Sequence, residues 1–328
     1  MNLAVETSAT QEIKSVRKCE RFKPQKKLEE GGELTSFQVQ RRMKKLFAPC
    51  DKLSSHMFNY SADEYGEIIE YRDQCRCVEI DKKGKKVFTP YWLELIGGYV
   101  DMSPLNAFHR ELLFTIMSAY EQGMRVITFS MALDALTGGE EKRNVYKEQY
   151  AAIKSAFDKL AFTRIEIDLA PLLKAFPRYK ANFKGAARLV GAFLPCRYLE
   201  TEINGQKTLA VELLGESPLM TVAKLKKQVI TYDITPLAIA GQNNTPQVIT
   251  IKNYLLRRIK LINRGLSSTI LFETLFRNCG LADANKSKKQ DARKEIETTL
   301  NSFKADGVIK NFEFEKQGGA YRSIKITL

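Results

Sequence analysis

The sequence predicts an α+β chain in which one arrangement occurs twice: three short amphipathic helices, then a two-stranded hairpin. Apolar residues recur at helical spacing in three successive segments, first from about Asn106 and again from Thr245. Each series ends in strands joined through glycine, at Asn204-Gly205 and at Gln317-Gly318-Gly319. At 328 residues the chain can hold two such units and an arm, each unit burying its own core. The predicted organisation is an arm over 1–59, a first unit over 60–216 with an insertion at 170–196, and a second unit over 217–328.

Residues 1–50 are polar, with basic runs at Lys26-Lys27 and Arg41-Arg42-Met43-Lys44-Lys45, and read as a partly disordered arm or a short basic helix. Such a segment can lie on phosphate or stay solvated. From Tyr60 to Glu94 the pattern becomes extended: Ile68, Ile69 and Tyr71, then Cys77, Val78 and Ile80, then Val87 and Phe88. Asp81 to Lys85 reads as the turn between two of these strands.

In the first unit Asn106 is placed to cap a helix with Phe108, Leu112, Ile116 and Tyr120 inside, stopped by Gly123. Val126 to Phe129 is extended, and Ser130 is expected to cap a short helix carrying Leu133 and Leu136. The third helix has the clearest period, through Tyr146, Tyr150, Ile153, Phe157 and Leu160, with Lys147, Lys154 and Lys159 assigned to its outward face. A strand follows from Thr163 to Leu169. The basic, aromatic segment 170–196 is surplus to a minimal unit, and the hairpin then runs from Tyr198 to Leu214.

A linker at Gly215 to Pro218, a helix from Met220 to Lys227 and a strand from Val229 to Ile234 lead into the second unit. There Thr245 caps, Pro246 takes the first helical position, and Ile251, Leu255, Ile259 and Ile262 face inward. Ser267 or Ser268 is expected to cap the second helix, with Leu271, Leu275 and Phe276 inside. The third runs from about Lys288 to Asp306 over Ile296, Leu300 and Phe303, and Gly307 ends it. Two strands close the unit, with Phe312 and Phe314 alternating against Ile324 and Ile326.

Charge points to a partner. Lys and Arg number 52 against 38 Asp and Glu, a net charge of +14, and that field attracts polyanions such as nucleic acid. A helix–helix–helix–wing unit lays its third helix in the duplex major groove, where base edges are read near the helix N-terminus. In the second unit that end carries Lys286, Lys288, Lys289, Gln290, Arg293 and Lys294; the first unit offers Lys142, Arg143, Asn144, Lys147 and Gln149. Lys207 and Lys316 flank the two hairpin turns. Arg257 and Arg258, in the first helix of the second unit, suit phosphate. The alternative for every one of these cations is an ordinary solvated helix face.

Other chemistries find little footing. No Gly-x-x-x-x-Gly-Lys-Ser/Thr phosphate loop occurs, and the two histidines, His56 and His109, are far apart, which excludes a His-hydrophobic-His nuclease. Cys75-Arg76-Cys77 with Cys50 and His56 fits zinc poorly, because one intervening residue departs from the usual two to four. No acidic cluster suggests a two-metal site. Six scattered cysteines and a polar Met1 to Leu34 lead us to expect a cytoplasmic protein with reduced thiols, no cofactor and no membrane span.

Val126 to Gly138, Val145 to Leu160 and Arg164-Ile165-Glu166-Ile167 resemble plasmid replication initiators of the theta-replicating, iteron-binding kind. Ile230 to Leu237 and the helix Ile251 to Ile262 resemble the second half of those proteins. The resemblance covers about 100–328 and implies tandem winged-helix domains. It further implies a non-enzymatic initiator that binds direct repeats at an origin in double-stranded DNA, helps open adjacent DNA and recruits host replication proteins such as an initiator or replicative helicase. Homodimers that repress their own promoter are also implied, with Lys288, Lys289, Arg293 and Lys294 as contact residues. Two other readings use the same modules: a transcriptional regulator or phage DNA-binding factor, and a protein-interaction module.

Overall fold

The computed structural model describes residues 43–59, 76–81, 83–95, 105–139, 147–180, 187–203 and 206–328, with backbone alone at 76, 95, 180, 201–203 and 206–208. Helices and antiparallel sheets alternate along it, an α+β chain. Strand β1 (Lys45–Pro49) and helix α1 (Lys52–His56) come first; Asp51 caps α1, accepting from Ser54 N at 3.0 Å. The sequence assigns this stretch to the arm, yet Leu46, Ala48, Leu53 and Met57 are buried in the core. Strands β2 (Arg76–Ile80) and β3 (Lys86–Leu95) form the expected hairpin, turned at Gly84, whose φ of +77° suits glycine. The strand pattern at Ile68 to Tyr71 lies outside the described residues.

The first repeat begins with α2 (Ala107–Glu121). Asn106 accepts from Phe108 N and His109 N, while His109 Nδ1 accepts from Asn106 N at 2.9 Å, closing a capping box. Then come β4 (Val126–Thr128), α3 (Phe129–Leu136) and α4 (Lys147–Phe162). The cap of α3 is Thr128 rather than the expected Ser130: its hydroxyl, at the extended end of β4, accepts from Met131 N at 3.2 Å. Along α4, Ile153, Phe157 and Leu160 are buried as predicted. Lys159 is buried, against expectation, because the chain returning at Phe193-Leu194 covers that end of the helix, Leu194 N donating to Leu160 O; Tyr150, near the other end, is exposed, with its ring 5.2 Å from that of Phe129.

Strand β5 (Thr163–Asp168) follows directly, then α5 (Ala170–Ala175), α6 (Pro177–Lys180) and β6 (Arg188–Ala192). The insertion is therefore structural: β6 pairs with β5 and completes a four-stranded sheet ordered β2-β3-β5-β6. Strands β7 (Cys196–Ile203) and β8 (Gln206–Leu213) make the hairpin, and β4 joins its second strand to give the order β4-β8-β7.

Helix α7 (Pro218–Leu225), started by proline two residues earlier than predicted, leads to β9 (Val229–Asp233), which pairs with β1 from Lys45↔Asp233 to Pro49↔Val229. Ser217 and Pro218, expected in a linker, are buried. A tight turn, Thr235–Leu237, meets Gly138 so closely that a Cβ there would lie 2.3 Å from Ala238 N.

The second repeat runs α8 (Pro246–Ile262), β10 (Thr269–Leu271), α9 (Phe272–Asn278), α10 (Lys286–Ala305), β11 (Asn311–Gln317) and β12 (Ala320–Thr327). Thr245 caps α8 and Pro246 opens it, as expected. Neither Ser267 nor Ser268 caps α9. Ser267 Oγ accepts from Thr269 N, and residues 269–271 are drawn into pairing with β12 before the helix begins. Gly318 and Gly319 both have positive φ, the turn whose twist matches its flanking strands. The sheet order β10-β12-β11 repeats β4-β8-β7: in both units the short strand before the second helix pairs with the second hairpin strand.

The two repeats share one apolar core among the described residues, with α2 packed against β1, α3, α4 and α8. Arg257, assigned to phosphate from sequence, is instead buried in an ion pair with Glu111 of α2. Arg258 is half-buried and donates to Ser267 O at 2.8 Å, bracing the turn after α8. Both follow the inward residues of α8, and the elements packed on that side, α2 over Arg257 and the turn after α8 over Arg258, cover them.

Candidate nucleic-acid interface

The first turns of α10 bring the largest set of candidate residues together. Asn285 caps the helix, its Oδ1 accepting from Lys288 N at 2.9 Å, so its side chain is committed to the backbone. Ala292, Ile296, Leu300 and Phe303 point inward, and that phase leaves Lys286, Lys288, Gln290 and Lys294 exposed. Lys294 keeps 70% of its side chain accessible despite a 3.4 Å approach to Asp291. Such a pair on a helix surface is worth a few tenths of a kcal/mol, about 0.3–0.5.

Two of the six candidates in this helix behave differently. Lys289 is half-buried, donates to Ala282 O at 2.6 Å and lies 6.0 Å from the Phe276 ring. Arg293 sits over three rings, with its guanidinium carbon 5.7 Å from Phe272, 5.6 Å from Phe276 and 5.4 Å from Tyr321. This aromatic set was not singled out from sequence. Phe272 and Phe276 are four residues apart in α9, a detectable pair, but nothing local brings Tyr321 or Arg293 to them.

The electrostatics of this end are unusual for stability. A helix N-terminus carries partial positive charge, favouring acidic residues in the first turn. Helix α10 has none there and begins with Lys286, Lys288 and Lys289. An anion at this end would relieve the repulsion. Across the hairpin, Lys316 is exposed, and its Nζ lies 4.6 Å from the Tyr321 ring.

The first unit gives less. Lys147 is exposed at the start of α4, while Lys142, Arg143 and Asn144 lie outside the described residues. Gln149 Nε2 donates to Asn244 O at 3.0 Å, tying α4 to the loop before α8. The backbone of Lys207 pairs with Glu202 in the β7–β8 hairpin; its side chain is outside the described set.

Nothing described assembles a nucleophile or metal centre. Burial pushes the Cys77, Cys196 and Cys279 thiols up to about 12, away from the reactive thiolate. Cys50 donates to Gln228 O, and His56 Nδ1 lies 2.8 Å from Tyr91 Oη. Among the described residues no group of three potential ligands forms, and no helix is long and apolar enough to cross a membrane.

No family model and no curated protein matches the chain. Among solved structures, it is similar to a crystal structure of RctB domains 2-3, at 8% identity and a TM-score of 0.39, covering 77% of this chain and 91% of that one. It is likewise similar to a selenomethionine derivative of domains 2 and 3 of RctB, at 9% identity and a TM-score of 0.37, covering 79% and 94%. Superposition this loose leaves function to be argued from the chain's own residues.

Proposed function

We propose that the chain is a non-enzymatic, sequence-specific double-stranded-DNA-binding replication initiator built on two winged-helix units. In this reading it binds repeated origin sites, promotes opening of the adjacent duplex and recruits host replication proteins, with homodimers acting at its own promoter. The repeated order of short strand, second hairpin strand and first hairpin strand supports the winged-helix assignment of both units.

The observation that carries the proposal is the basic start of α10. Lys286, Lys288 and Lys294 project outward from a helix end whose own dipole disfavours them, with Gln290 among them. Lysines so placed suit phosphate, and a Gln suits adenine. A +14 chain would add long-range attraction to the duplex.

The test is selection of bound sites from random and host DNA, followed by footprinting. Tandem direct repeats spaced by about two helical turns are the expected result. An isolated palindrome would replace the initiator with a regulator. Absence of duplex binding at low ionic strength would overturn both and leave the protein-interaction reading.

A further inference from the structure

Arg293 and Tyr321 come from different elements of the second unit, one from α10 and one from the strand after the hairpin turn. Their meeting depends on a register shift. Across β11 and β12, Glu315 pairs with Ser323 but Lys316 pairs with Tyr321, so Arg322 is an extra residue on β12. Such a bulge re-aims the side chains beside it. Here it brings Tyr321 onto the helix-facing aromatic residues, 5.6 Å from Phe314 and 6.0 Å from Phe272.

The guanidinium of Arg293 covers this cluster, and its buried Nε has no hydrogen-bond acceptor. Its partners are therefore ring faces, which attract a cation through the ring quadrupole. A guanidinium held this way is poorly placed to reach a guanine edge without abandoning three rings. Lys316 Nζ lies over the same Tyr321 ring, 4.6 Å from its centroid.

We propose that Arg293 is a positioning residue: it clamps the β11–β12 hairpin onto α10, so that Lys316 and the exposed lysines of α10 present one fixed surface, and it does not itself contact the duplex. The clamp follows from the geometry of the second unit. Its consequence for binding rests on the function proposed above.

Hydrogen exchange of the full-length chain tests the clamp without DNA. Arg293→Met keeps an apolar stem but removes the charge, and should speed exchange of the 311–327 amides by roughly threefold to thirtyfold, the range expected of a lost cation–π contact. Arg293→Lys should give a smaller increase; Tyr321→Ala, which also loses the ring contacts to Phe272 and Phe314, should give at least as large an increase as Arg293→Met, and Arg293→Met should add less on top of Tyr321→Ala than it does alone. Lys294→Ala serves as the control with unchanged exchange. Unchanged exchange in Arg293→Met, or fully additive effects in the double variant, would overturn the clamp.

The DNA arm uses a duplex selected by the wild-type chain, or a mixed-sequence duplex at low salt if selection yields none. Arg293→Met should weaken binding while the dependence of log K on log salt keeps its slope. A slope reduced by roughly one would assign Arg293 to a phosphate and overturn its positioning role. If the wild-type chain binds neither duplex, the proposed function fails, and the exchange data alone decide the clamp.

Discussion

Arg257 of α8 grips Glu111 of α2 through two parallel hydrogen bonds, Nη1 to Oε2 at 2.6 Å and Nη2 to Oε1 at 2.9 Å. Arg110 adds two more to Oε1 and donates to Asn278 O at 2.8 Å, so the end of α9 is tied through Arg110 to the carboxylate that α2 and α8 share. The group is almost wholly buried and joins the two halves of the chain. Two guanidiniums against one carboxylate leave a buried excess of positive charge, which makes Glu111 the component hardest to replace.

Glu111→Gln should therefore destabilise the fold by about 3–5 kcal/mol, read by chemical denaturation at neutral pH. Burial alone would raise this carboxyl, but the Arg257 and Arg110 guanidiniums outweigh it and hold it below its ordinary 4.5. A depressed folded-state value means the stabilisation is complete above the unfolded-state value and is lost as pH falls through the folded one. The gap between wild type and Glu111→Gln should narrow in that acid range. A gap independent of pH would contradict the assignment.

Lys286→Ala, Lys288→Ala and Lys294→Ala should each weaken duplex binding on every sequence and lower the salt slope by roughly one. Gln290→Ala should leave that slope unchanged and relax preference at one base pair, by about 1–3 kcal/mol. Competition binding with single-base variants of the selected site distinguishes the two behaviours.

Gly138 and Gly139 both have positive φ, yet their surroundings differ. A Cβ on Gly138 would strike Ala238 N and the Leu237 carbonyl carbon, while one on Gly139 meets nothing within 4 Å. Gly139→Ala should cost about 1–2 kcal/mol for backbone strain alone. Gly138→Ala should cost distinctly more, because the turn at 235–237 must move. Paired melting curves that coincide would refute the close approach.

Asn285→Ala removes the cap of α10 and should lower stability by about 1 kcal/mol. Because that side chain is committed to Lys288 N, base preference at the selected site should stay the same. A changed preference would place Asn285 on the reading surface.

What could be read from sequence was what neighbouring residues decide. Thr245-Pro246 starts a helix by side-chain and ring geometry, and Gly318-Gly319 turns a hairpin by backbone freedom, wherever they occur. The basic start of α10 was visible for the same reason, since its phase follows from Ile296, Leu300 and Phe303. Partners distant in sequence were not visible. Thr128 and Ser130 are both competent caps, and the choice falls to Thr128 because β8 holds β4 extended. Arg257 and Arg258 look equally available until α2 and the turn after α8 are folded around them. Tyr321, the third ring under Arg293, stayed hidden because a bulge at Arg322 decides which way it points.

Pairing of β1 with β9 has a consequence for synthesis. During translation Lys45 emerges early, but its partner Asp233 leaves the ribosome only after every helix and sheet of the first unit. Until then β1, with Leu46 and Ala48 on it, has no β9 to pair with, and the neighbouring face of α2 lacks part of its cover. A nascent chain stalled before Val229 is thus expected to engage chaperones through this waiting strand, and one stalled well beyond Asp233 to release them.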